Sequence, residues 1–248
     1  MEAIVFLLGL IIGSFLNSCI YRLPRGVSII YPPSFCPSCG HKLCWSDLVP
    51  IFSYLALKGK CRYCGVKIPL RYPLIELLTG FLFLVSYYKF GLSYDFIFSS
   101  FFLSLLEFVA IVDLRSYEVM DSTIYLGIIM GIIFFTLKSG AEGFFFSLKG
   151  IIYGAGIMAL IFFVANGGMG EGDIGIAAFV GAWLGSVNTI VALVVAFIIG
   201  GIFAVLLLAL GFKKMGEKVP FGPFLAIGST IAFFKGELLI ELYWRVIS

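Results

Sequence analysis

Asp113 and Asp173 are the residues whose type and setting point most directly to chemistry. Each lies at the end of a long apolar run, where an ionisable group is costly and is therefore a candidate for function. Asp113 opens Asp113-Leu-Arg-Ser-Tyr-Glu-Val-Met-Asp121, and Asp173 closes Gly167-Gly-Met-Gly-Glu-Gly-Asp173. Two carboxylates brought close cannot both ionise cheaply, so they share a proton. One then activates water as a base while the other protonates or polarises a carbonyl, the logic of an aspartic protease. Gly170 and Gly172 let an extended peptide backbone approach Asp173 closely. The bland alternative for either aspartate is a helix cap or a solvated helix end, and N-cap is the expected role of Asp121. Glu76 and Glu107 also fall within apolar runs, and Arg115 lies beside Asp113; these three are candidate supporting residues.

The second constellation is Cys36-Pro-Ser-Cys39-Gly40 with Cys61-Arg-Tyr-Cys64-Gly65. Each CxxC turn offers two thiolates, and the glycine after the second cysteine accepts a left-handed backbone. Four thiolates satisfy tetrahedral zinc and leave no open position, so the site is expected to be structural. The alternative is a pair of disulfides, which a cytoplasmic location disfavours. Cys19 is expected to pack within the first span and Cys44 to be a free thiol. His41 is the single histidine and follows a cysteine set that is already complete, so it is read as a non-ligand. A lone histidine so placed also argues against Ser-His or Cys-His catalysis.

The elements that must position these groups are membrane helices. Of 248 residues, 61% are hydrophobic and 12% charged. An ordinary soluble domain is about half apolar and about a quarter charged. The mean hydropathy of +1.09 makes lipid the natural solvent. A net charge of +3 gives no argument for nucleic acid as a partner. With about 20 apolar residues needed per crossing, the expected spans are Ile4–Tyr21, Pro73–Phe90, Phe96–Asp113, Thr123–Leu137, Ser147–Ala165, Ile174–Gly185, Thr189–Leu210 and Phe221–Tyr243. The fold class is therefore an all-α integral membrane protein of about eight transmembrane helices. Met1-Glu2-Ala3 supplies no basic leader, so the first run is expected to be a retained span.

One segment is polar. Between Arg22 and Tyr72 lie Arg25, Lys42, Lys58, Lys60, Arg62, Lys67 and Arg71. Basic loops stay in the cytoplasm. Alternation then puts Arg115, the Asn166–Gly172 loop and the Lys213–Lys218 loop on the same face; Lys138 and Lys149 fall outside and weigh weakly against it. The expected organisation is a first helix over 1–22, a cytoplasmic four-cysteine insert over 23–72, and a membrane core over 73–248. Both aspartates then sit at the cytoplasmic face.

With these residues in place, the sequence resembles the bacterial type IV prepilin peptidases, membrane aspartic proteases with a GxGD motif. Gly13-Ser-Phe-Leu-Asn17 with Tyr21-Arg-Leu-Pro24 looks like the family's opening. The two cysteine hooks resemble its zinc loop, and Arg71-Tyr-Pro-Leu-Ile-Glu76 follows. Gly170-Glu-Gly172-Asp173 matches GxGD, Asp113 matches the first catalytic aspartate, and Pro220-Phe-Gly-Pro-Phe-Leu-Ala226 resembles the start of the last span. Met120 departs from the family's proline, and Lys58 stands beside Gly59 where many relatives carry glycine.

The resemblance implies cleavage of the basic leader from a prepilin or pseudopilin at the cytoplasmic face of the bacterial inner membrane. It further implies N-methylation of the new terminus with S-adenosylmethionine, in which the Gly59 loop is implicated. Rival readings are a proton-coupled transporter and a non-catalytic zinc-bearing assembly scaffold. The sequence does not name the pilin or fix an oligomeric state.

Overall fold

The computed structural model describes residues 1–165, 169–214 and 217–247. Asn166, Gly167 and Gly168 of the glycine-rich run, and Met215 and Gly216 of the lysine-bearing loop, lie outside the described residues. Among those described there is no β-strand beyond two isolated bridges in the insert. The helices are α1 (Glu2–Arg22), α2 (Phe52–Ala56), α3 (Arg71–Phe90), α4 (Tyr94–Ser116), α5 (Asp121–Val164), α6 (Gly172–Ala209) and α7 (Gly222–Ile247). Six of them, all but α2, are long and apolar enough to cross a membrane.

Two of the six are helical hairpins. In α5 the helix breaks at Ser139 and Gly140, and Gly140 takes a left-handed φ of 60°. The chain folds back so far that the Phe135 and Phe146 rings lie 4.6 Å apart. In α6 the break is at Gly185, with φ 67°. The resulting eight helical stretches overlap the eight apolar runs read from the sequence, with the second half of α5 starting ahead of the run read from Ser147. The hairpins also bring the two ends of α5, and the two ends of α6, to the same end of the bundle.

The chain divides into two compact units, Met1–Ser104 and Leu105–Ser248, with α4 contributing to both. In the first, α1 packs on α3 through small residues: an added Cβ at Gly13 would lie 2.7 Å from the Glu76 Cα. Such close approach is how helices associate when lipid supplies no hydrophobic drive. Ser86 and Ser99 hydrogen-bond to one another between α3 and α4, so neither hydroxyl is wasted in an apolar layer. Arg22, 4% exposed at the end of α1, folds back over the following loop. Its guanidinium donates to the carbonyls of Ser28, Ile29, Pro32 and Pro33, which fixes the root of the insert.

In the second unit α5 and α6 interlock. A Cβ at Gly150 would overlap the Gly181 carbonyl, and one at Gly181 the Gly150 carbonyl. The Trp183 indole donates to the Gly127 carbonyl at 2.8 Å and the Ser147 hydroxyl to that of Ala182 at 2.9 Å. Bonds of this kind in a membrane average about 0.6 kcal/mol each, so the close backbone packing carries most of the specificity. The outward faces stay apolar, as lipid requires: Phe163, Ile202 and Val205 are all exposed.

Asp121 departs from its expected role. The residue in extended, capping geometry is Met120, which makes no side-chain cap bond, and Asp121 is the first helical residue of α5. There its charge meets the positive end of the helix dipole, which still favours an acidic group.

Candidate active site and metal centre

Asp113 and Asp173 belong to the same unit and are buried, at 5% and 6% exposure. They lie close enough for the charge of Asp113 to act on Asp173. Asp113 sits in the last turn of α4, and its Oδ2 accepts the Gly222 N–H at 2.8 Å. Asp173 is the second residue of α6, and its own N–H closes a turn on the Gly170 carbonyl at 3.2 Å. A Cβ at Gly170 would stand 3.6 Å from the Asp173 carboxylate, and one at Gly172 would strike the Val119 side chain at 2.6 Å. Gly172 thus lets the start of α6 lie against the loop that follows α4, whereas a side chain at Gly170 would make only ordinary contact with the aspartate.

Chemically, the first turns of α6 and α7 bring backbone N–H groups that have no partner within the helix. Helix N-termini favour negative charge nearby. Those two helix starts favour the burial of two acidic groups beside them. Two carboxyls brought close can share one proton and so offer a base and an acid at once.

The four cysteines of the insert also converge. The Sγ atoms of Cys36, Cys39, Cys61 and Cys64 all lie within 4.8 Å of one another, and Cys36 and Cys64 are 3.9 Å apart. Tetrahedral zinc with bonds of about 2.3 Å needs sulfurs roughly 3.8 Å apart, so the set fits a closed four-thiolate site. No disulfide joins them.

Each hook is a tight turn with left-handed Gly40 or Gly65 behind it, closed by Cys36 N–H to His41 C=O and Cys61 N–H to Val66 C=O, both 2.9 Å. Burial works against charge on the Cys36 thiol, but the N–H groups of Cys39 and Ser38 hold it down at about 7. The Val66 N–H pulls Cys64 down as well, but burial and its bonds to the other thiols push it up to about 11.

Chain similarity covers both regions. Residues 7–90, with the cysteines, match the Bacterial Peptidase A24 N-terminal domain, and residues 100–205, with both aspartates, match the Type IV leader peptidase family. The chain is 33% identical over 246 residues to the prepilin leader peptidase/N-methyltransferase of Bacillus subtilis, covering 99% of each chain. The chain belongs to the type IV leader peptidase family. It is also 30% identical to the protein of that name from Pseudomonas aeruginosa, over 96% of this chain and 91% of that one. A Myxococcus xanthus relative of the same name is 38% identical over 73% of this chain and 55% of its own length. No solved structure matches the chain.

The remaining sequence candidates fall in different places. Glu107 is buried at 5% exposure in α4, in the unit of the aspartates. Arg115 is exposed, two positions past Asp113, and side chains so spaced on a helix do not face each other. Glu76 belongs to the other unit, where its Oε2 accepts the Ile51 N–H at 2.8 Å. Ile51 has a φ of 61°, strained for a β-branched residue, and the Glu76 bond helps hold it. Lys58 and Gly59 are left-handed in succession, with φ of 52° and 66°. The Gly59 N–H binds the Tyr54 carbonyl at 2.8 Å. That turn is closed by bonds within its own chain.

His41 stacks on Tyr63 at 3.6 Å and so ties one hook to the other; the ligand group itself is the four cysteines. Asp47 accepts from Arg62 at 2.7 Å, from the Cys44 N–H and from the Tyr63 hydroxyl. Burial would raise the Asp47 carboxyl, but these donors outweigh it and hold it low. Its contribution to the insert is therefore present above the ordinary carboxylate range and lost as pH falls through the lowered value. Missed by sequence reasoning were Gly222 and the contact of Lys213 with Tyr117, at 3.4 Å to the hydroxyl. The signal for Gly222 was present, a glycine before a proline at the start of an apolar run.

Proposed function

We propose that this integral membrane protein removes the basic leader from type IV prepilins or pseudopilins, using Asp113 and Asp173 as a proton-sharing pair. The observation that carries the reading is the burial of both aspartates in one unit, with the charge of Asp113 acting on Asp173 and the Gly222 amide on Asp113. In the reaction one carboxylate takes a proton from water as the oxygen attacks the scissile carbonyl, and the other gives its proton to the carbonyl oxygen. Collapse of the tetrahedral intermediate returns a proton to the departing nitrogen. That nitrogen becomes the new N-terminus of the pilin, which the same chain then methylates.

S-adenosylmethionine supplies the methyl group when bound; Gly59 is proposed to lie in that loop. Zinc held by Cys36, Cys39, Cys61 and Cys64 is proposed to fix the insert over 23–72, between the first helix and the membrane core over 73–248. Gly170 and Gly172 admit the substrate backbone, while Glu76, Glu107 and Arg115 support the two regions. All eight helical stretches are read as crossing the bilayer. The insert and the aspartates are placed at the cytoplasmic face of the bacterial inner membrane. The test is incubation of purified full-length protein with a leader-bearing prepilin; leader release and methyl transfer are expected, and neither is expected of a transporter or a scaffold.

The orientation makes its own prediction. Lys42 should react with an impermeant amine reagent in inverted membrane vesicles and stay protected in intact cells. Labelling from outside intact cells would overturn the placement.

The shared proton predicts a bell-shaped rate against pH. Below the optimum both groups are protonated and no base remains; above it both are ionised and no acid remains. Single-turnover cleavage across pH, with folding checked at each point, reads the profile. A single sigmoid with full activity persisting at high pH would falsify the shared proton.

A further inference from the structure

We infer that Gly222 is a positioning residue of the catalytic pair, acting through Asp113; the inference rests on the peptidase reading above. Gly222 is the first residue of α7 and lies 109 positions from Asp113, yet its N–H is 2.8 Å from the Asp113 Oδ2. The first N–H groups of a helix have no acceptor within it, so this one is free to serve a side chain. Pro223 follows, and a proline in the first turn costs the helix nothing because its own N–H is not needed there. The run Phe221-Gly222-Pro223 therefore starts a helix and leaves its leading amide aimed at a carboxylate.

The side-chain position of Gly222 is as tightly specified as its amide. A Cβ there would lie 2.7 Å from the Asp113 Oδ2 and 3.1 Å from its Cβ. Gly222 is not among the left-handed glycines, so the backbone itself would accept a side chain. What excludes one is Asp113. The carboxyl is pressed against the chain, held by the amide on one oxygen, and left with the other for water or the second aspartate.

Gly222→Ala keeps the N–H but pushes the carboxyl back from a 2.7 Å contact to ordinary van der Waals distance, a shift of about 1 Å. A misplacement of about 1 Å can cost about 100-fold in rate, and that loss is expected in kcat. KM for the prepilin is expected within about threefold of wild type, because the substrate contacts are untouched. Gly201→Ala, whose added Cβ meets nothing within 4 Å, is the control. A Gly222→Ala protein with wild-type kcat, or with the loss confined to KM, overturns the inference.

A second measurement does not depend on cleavage. The unfolding midpoint is read for Gly222→Ala, Asp113→Ala and the double variant. If the two side chains collide, the penalty of the alanine disappears once Asp113 is truncated. A Gly222→Ala protein recovered only in the Asp113→Ala background supports the contact; equal penalties, or loss in both backgrounds, overturn it. Failure of the wild-type protein to release a leader defeats the peptidase reading, and the unfolding cycle then still decides whether Gly222 seats Asp113.

Discussion

Asparagine at either Asp113 or Asp173 should abolish leader cleavage while the protein still inserts and folds. The exchange is nearly isosteric. At Asp113 the amide oxygen can still accept the Gly222 N–H, so the anchoring bond at 2.8 Å survives. What is lost is the proton-sharing group itself. With one carboxyl gone, the pair cannot offer a base and an acid at once. General acid–base roles are typically worth 10²–10⁴-fold, so a loss on the order of 10³-fold or more is expected for each variant. That corresponds to roughly 4 kcal/mol of barrier.

The double variant should be little worse than either single one, because residues that act as a unit are not additive. Asp121→Asn should cleave close to wild type, since Asp121 only meets the start of the α5 dipole. Single-turnover cleavage of a prepilin, with unfolding midpoints for each protein, makes the comparison. Near-normal cleavage by either dyad variant would sink the pairing.

The aspartates were legible in the sequence because lipid makes an ionisable group conspicuous. Their partnership was legible only as an expectation, since they stand sixty residues apart and periodicity is silent in helices that are apolar all round. The helix count emerged for a similar reason. Gly140 and Gly185 interrupt long apolar stretches, and a glycine with positive φ reverses a helix where any other residue would resist. The residues after Gly140 fell outside the expected spans but are helical, and Phe146 packs back on Phe135.

Other features could not be read. The four carbonyls gathered by Arg22 depend on a loop path that local sequence does not specify. Ile51 gives no warning of its left-handed backbone, because the bond that helps hold it comes from Glu76 in a later helix. Gly222 looked like the start of a helix, which it is. Its use as a donor to Asp113 lives entirely in the tertiary packing of α7.

Serine at Cys36 or Cys64 should release the metal and unfold the insert. Zinc analysis of the wild-type protein should give about one ion per chain, because four thiolates fill one tetrahedron. The insert has little else to hold it. Among its described elements are one short α-helix, two turns of 3-10 helix and two isolated bridges, Phe35 with Lys42 and Lys60 with Lys67. Each bridge belongs to one hook, and what joins the hooks besides sulfur includes the His41–Tyr63 stack, the bonds of the Tyr63 hydroxyl to Asp47 and Cys44, and the ion pair of the half-exposed Arg62 guanidinium with Asp47. Exposed pairs of that kind contribute about 1 kcal/mol at most. Structural zinc binds with about 10–16 kcal/mol, far more than those contacts supply. Losing one ligand from a closed site should therefore cost the metal and the fold of the insert together. Zinc content and limited proteolysis between Cys36 and Cys64 read both. Serine at Cys44 should change neither, since its sulfur lies outside the four-sulfur group and accepts from the Tyr63 hydroxyl and the Asp47 N–H, as a serine hydroxyl can. A Cys36→Ser protein that keeps a protected insert without metal would show that backbone turns and the ring stack suffice, and zinc would lose its structural role.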